Sequence, residues 1–74
     1  MVAEADALGV LDTLLNGKGF LGKREPTEIR AAAALALGQI PGAAARTILT
    51  KAEQDEDAVV RNNVHRALRS EGPS

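Results

Sequence analysis

EIRAAAALALGQI, residues Glu28 to Ile40, is the stretch on which the fold turns. Wound at 3.6 residues per turn, it puts Ile29, Ala33, Ala36, Leu37 and Ile40 on one face, yet Ala31, Ala32, Ala34 and Leu35 leave the other side apolar too. A helix apolar nearly all round is expected to be buried by several partners, and alanine gives it the highest intrinsic helix propensity. Pro26 fits the first turn, where its missing donor does no harm, and Glu28 lies near the positive end of the helix dipole. Pro41 stops the helix.

The flanking segments read as the partners of this helix. From Ala3 to Asn16, the residues Ala7, Leu8, Val10, Leu11, Leu14 and Leu15 share one side, with Asp6, Gly9, Asp12, Thr13 and Asn16 opposite. Asn16 and Gly17 are expected to close this first helix in the left-handed conformation that both residues tolerate. Beyond the Pro41–Gly42 turn, Ala45, Ile48, Leu49 and Ala52 follow the i, i+3, i+4, i+7 pattern, with Arg46, Thr47, Thr50, Lys51 and Gln54 outward. Asp55, Glu56 and Asp57 then supply a cap and an acidic start for a fourth helix that ends in Arg66 and Arg69.

Composition narrows the function. Seventy-four residues make one small domain, and 14 of its hydrophobic residues are alanine, so close approach must replace bulk in the core. The absence of cysteine excludes a disulfide framework and a thiolate zinc site, which makes a reducing, cytoplasmic setting the default expectation. Glu4, Asp6 and Asp12 interrupt the first apolar run, so it resembles neither a signal peptide nor a membrane span. A net charge of −1 gives no global attraction to nucleic acid or anionic lipid.

A shift of 31 residues lays Ile29, Arg30, Ala33, Ala36 and Leu37 on Val60, Arg61, Val64, Ala67 and Leu68. A shift of 34 lays Leu11, Leu14 and Leu15 on Ala45, Ile48 and Leu49. Two helix types alternating with nearly one period point to stacked helical repeats, each covered by its neighbour. The runs EIRAAAALALGQIPGAA and DEDAVVRNNVHRALR resemble the HEAT repeat family, specifically the short bacterial HEAT-like repeats of the phycobilin-lyase type. The resemblance implies an all-α fold, a short right-handed α-solenoid of about four antiparallel helices, over a single domain at residues 1–74. Helices are expected at about 3–16, 26–40, 42–54 and 56–70. It also implies that the first and third helices line the concave face, and that Arg30 and Arg61 brace the turns through acids, which would pair Arg61 with Asp55 or Asp57. Arg24 stands where Asp55 stands one repeat later, so the first turn supplies no such acid for Arg30.

The second and fourth helices differ informatively. Ala31, Ala32, Ala34 and Leu35 become Asn62, Asn63, His65 and Arg66, which suits a C-terminal cap with a solvated face. The N-terminal end has no outer helix before it, so Val2, Ala3, Ala5 and Val10 are expected to lie open. The chain is accordingly expected either to be the C-terminal part of a longer protein or to self-associate through that end.

Catalytic, cofactor and metal sites find no support. GKGFLGKR, from Gly17, has Arg24 where a phosphate-binding loop needs a hydroxyl, and it follows a helix instead of a strand. His65 lacks metal-binding company, and Asp55, Glu56 and Asp57 are explained by a helix start. The expected function is a non-catalytic protein–protein interaction and scaffolding module. Its candidate partner-binding residues are Asp12, Arg46, Thr50 and Lys51 on the concave side, with Phe20, Leu21, Lys23 and Arg24 in the first loop as an apolar anchor with a cationic rim. The plainer reading of Phe20 and Leu21 is a local lid folded back over the ends of the first two helices. Two alternatives stand beside this: an accessory, lyase-like subunit in cofactor attachment, implied by the resemblance, and a nucleic-acid backbone binder using Lys18, Lys23, Arg24, Arg46 and Lys51 as a basic strip.

Overall fold

The computed structural model describes residues 4–17 and 24–70, and among these every regular element is helical. Helix α1 spans Glu4–Asn16, α2 Thr27–Gly38, α3 Ala43–Lys51 and α4 Ala58–Ser70. Helix α2 packs against all three others. Its alanines explain how: Ala33 and Ala34 are buried beside Leu37, and together with Leu15, Ala45, Ile48, Leu49, Ala52, Val60, Val64 and Ala67 they form one continuous core. Short side chains let backbones come close, so dispersion contacts accumulate without large residues.

The closest approach is at Gly38. A Cβ placed there would stand 2.9 Å from the Ala67 Cβ and 3.2 Å from its Cα, so the α2–α4 seam requires glycine at this point. At the other end of the seam Thr27 donates its hydroxyl proton to Asp57. Starts meet starts and ends meet ends, so α2 and α4 run parallel, as the shared 31-residue template requires.

Helix ends follow local chemistry, with some departures from the sequence reading. Pro26 sits one position before α2, with ψ of 153°, and its carbonyl accepts the Arg30 N–H at 3.0 Å. Helix α2 stops at Gly38, and Gln39 and Ile40 close it with tighter bonds to Ala36 and Leu37. Gly42 precedes α3 with φ of 112°, a conformation that favours glycine. Helix α3 ends at Lys51, earlier than periodicity suggests, because Ala52–Gln54 form a turn. Gly17 does not adopt the left-handed closure expected of it, since Gly42 alone among the described residues has positive φ. Its glycine is needed for another reason: a Cβ would meet the Thr13 carbonyl oxygen at 2.8 Å.

The start of α4 is capped as the acidic run suggested. Asp57 Oδ1 accepts the N–H groups of Val59 at 3.0 Å and Val60 at 3.4 Å, while its other oxygen takes the Thr27 hydroxyl. The Thr27 hydrogen bond, with the backbone donors behind it, holds the Asp57 carboxyl below its usual value. Because Asp57 both caps α4 and ties it to α2, Asp57→Ala is expected to lower the thermal midpoint by several degrees, measured by circular dichroism. Thr27→Val, which keeps the cap, is expected to cost less.

Burial corrects the expectation that α2 is covered all round. Ile29 is 42% exposed and Leu35 40%, Ala32 is exposed, and the charged Arg30 is buried instead. On α1, Val10 is 56% exposed, as expected of the open N-terminal end; residues 1–3 lie outside the described residues.

Candidate functional site

Polar chemistry converges first on Arg30. Its position within an alanine helix forces its guanidinium into the core, where a charge is tolerated only when fully partnered. Nε and Nη2 donate to the Leu15 carbonyl at 3.0 and 2.9 Å, at the end of α1. Nη1 donates to Asp55 Oδ1 at 3.2 Å, and Nη2 also reaches Asp55 Oδ2. Arg24 adds a second cation on Asp55 Oδ2 at 2.9 Å, and the Asp57 N–H donates to Oδ1 at 2.9 Å. The Arg30 guanidinium is the main cause that holds the Asp55 carboxyl at about 2 against an ordinary 3.8, with Asp57 N–H and Arg24 adding to it and burial opposing. Arg30 therefore takes its acid from the following repeat. Arg24, at the repeat position equivalent to Asp55, joins the same carboxylate.

Arg61 behaves differently from the expectation. Among the described residues its side chain makes one hydrogen bond, Nη1 to the main-chain carbonyl of Asp55 at 2.8 Å, and pairs with neither the Asp55 nor the Asp57 carboxylate.

A second polar link joins α1 to α3. Asn16 Nδ2 donates to Asp12 Oδ1 at 3.0 Å and to the Ile48 carbonyl at 3.1 Å, and Lys51 Nζ meets Asp12 Oδ2 at 2.9 Å. The Asn16 bond, then Lys51, holds the Asp12 carboxyl below its usual value. Thr50 returns its hydroxyl to the Arg46 carbonyl at 2.8 Å, and Arg46 Nη1 reaches the Leu68 carbonyl at 3.5 Å. Of the candidate partner-binding residues, Asp12 and Lys51 are thus paired with each other, Arg24 is engaged with Asp55, and Arg46 and Thr50 stand exposed on α3. Phe20, Leu21 and Lys23, with Lys18, lie outside the described residues.

The side of α4 beyond the core, read from sequence only as a solvated cap face, carries relief that the sequence did not suggest. Clefts open along it, lined in turn by Glu53, Gln54, Arg61 and His65; by Glu53, His65, Leu68 and Arg69; and by Asn62, His65, Arg66 and Arg69. His65 is half-buried there, its Nε2 2.9 Å from the Glu53 carbonyl. Among the described residues no cluster of three or more histidine or acidic side chains could hold a metal, and no helix is long and apolar enough to cross a membrane.

With the four packed helices and the Arg30–Asp55 joint in view, comparison with known families is direct: the profile of HEAT repeats matches residues 5–73. The chain belongs to the HEAT-repeat family. No curated protein and no solved structure matches it. HEAT repeats commonly mediate protein–protein interaction and are typically non-enzymatic scaffolds. In this HEAT-repeat chain the ionic cluster is a joint between repeats.

Proposed function

We propose that the chain is a non-catalytic protein-interaction module whose N-terminal end face binds another helical unit, a second copy in the first instance. One observation carries this. Leu11, Leu14, Ile29 and Ala36 are half-buried or exposed, whereas the residues one repeat later, Ala45, Ile48, Val60 and Ala67, are buried against neighbouring helices. The same residue pattern is thus sealed in the second repeat and only partly covered among the described residues of the first. Apolar side chains held on rigid helices associate at little ordering cost. A two-fold pairing of this face with itself would close the assembly at two copies.

Sedimentation velocity over a rising concentration series tests the reading. The unmodified chain is expected to approach the mass of a dimer, and Ile29→Glu to remain monomeric with unchanged helicity. A monomer at every concentration would remove self-association. The nucleic-acid alternative is weakened because Lys51, a member of its basic strip, is already neutralised by Asp12. The lyase-like accessory role rests on the subtype resemblance alone.

A further inference from the structure

We infer that the outer side of α4, bearing Arg61, His65, Arg66 and Arg69, is a berth for an amphipathic helix of a partner protein that carries carboxylates, one of them closing on Arg61 as Asp55 closes on Arg30. The inference deepens the reading of the chain as an interaction module by giving the chemistry of a partner at the opposite end from the N-terminal face.

The internal repeat supplies the shape. Arg61, His65, Leu68 and Arg69 are the 31-residue equivalents of Arg30, Ala34, Leu37 and Gly38. In α2 the first three of these are buried, because α1, α3, α4 and the turn at Asp55 enclose them. In α4 the corresponding side is open, and the clefts follow it from Arg61 to Arg69, a little over two helical turns or about 12 Å. Leu68, half-buried and packed on the core, gives this groove an apolar patch where Leu37 is sealed. A helix is thus the element that the equivalent position already accommodates once in this chain.

Charge supplies the chemistry. Helix α4 carries Arg61, Arg66 and Arg69 and no acidic residue, and the acidic residue lining the clefts is Glu53. Arg61 is the most specific of the three. Arg30, in the same register, has a carboxylate clamp as well as a carbonyl, whereas Arg61 has the carbonyl alone among the described residues. Bidentate closure of a carboxylate on a guanidinium fixes geometry as well as charge. An extended phosphate backbone would match the cations but leave Leu68 without an apolar counterpart, and no aromatic residue among those described offers a stacking platform.

The test uses the full chain and two labelled helical peptides of ~16 residues, with leucines at i, i+3, i+4 and i+7 and either glutamates or glutamines at the flanking positions. Fluorescence anisotropy is expected to show the glutamate peptide binding about tenfold more tightly than the glutamine peptide, with the advantage shrinking as salt rises. The double variant Arg66→Gln, Arg69→Gln, at two exposed positions, is expected to lose about tenfold for the glutamate peptide while keeping its helical fold by circular dichroism. Equal binding of the two peptides, no binding at ~1 mM, or an unaffected double variant would overturn the proposal. Displacement of the peptide by random duplex DNA at equal charge concentration would overturn it in favour of a general polyanion site. Ile29→Glu tests the N-terminal face separately and is expected to leave peptide binding unchanged.

Discussion

Arg30→Ala is expected to leave the chain largely unfolded at 25 °C. The substitution removes the donor of two bonds to the Leu15 carbonyl and the main counter-charge of Asp55, leaving an acceptor and a carboxylate buried together. Breaking a buried ion pair by removing one partner costs about 3–5 kcal/mol, and a domain of this size rarely has more than about 3–5 kcal/mol in reserve. Urea titration followed by circular dichroism is the direct measurement, and a variant that retains more than half the original stability would show that the cluster is dispensable. Acid provides a milder form of the same experiment. The folded-state value for Asp55, about 2, lies below its ordinary 3.8, so its contribution of about 2 kcal/mol is complete above about pH 4 and is lost as pH falls towards about 2. Asp55→Asn should be less stable at pH 7 and should flatten the acid limb of the stability profile.

Gly38→Val is expected to cost about 2 kcal/mol, or roughly 10 °C in the thermal midpoint. Its Cβ would lie 2.9 Å from Ala67 Cβ and 3.2 Å from Ala67 Cα, and neither atom belongs to a flexible side chain that could swing aside. The helices must separate, which loosens Val60, Val64 and Ala67 along the whole seam. Ala67→Gly in the same molecule returns the space and should recover part of the loss. Absence of that recovery would mean that the glycine serves the end of α2 and not the packing.

Much of the fold was legible because periodicity and register are properties of single residues. Ala45, Ile48, Leu49 and Ala52 follow one face of α3, and all four are buried. The 31-residue shift correctly aligned α2 with α4, including Arg30 with Arg61. Which side of α2 lay open was not legible, since an alanine reads as apolar whether or not a neighbour covers it; Ile29 and Val60 are equivalent in pattern and opposite in exposure. The partner of Arg30 was also hidden. Arg24 in the preceding turn suggested that no acid was at hand, and the acid that serves it, Asp55, comes 25 residues later across the joint. A cation placed inside an alanine run was the available signal, because such a charge must be answered somewhere. The candidate sites were harder still, since whether Asp12 and Lys51 neutralise each other or face a partner depends on distances that sequence does not carry.

The reach of Asp55 also couples the repeats. Stacked repeats can usually form one at a time, each needing only its predecessor. Here the Arg30 guanidinium ties the end of α1 to the first turns of α2 and, through Asp55, to the turn before α4. Loss of that turn would leave a buried cation without its carboxylate, so the two repeats are expected to melt together, in one transition instead of two.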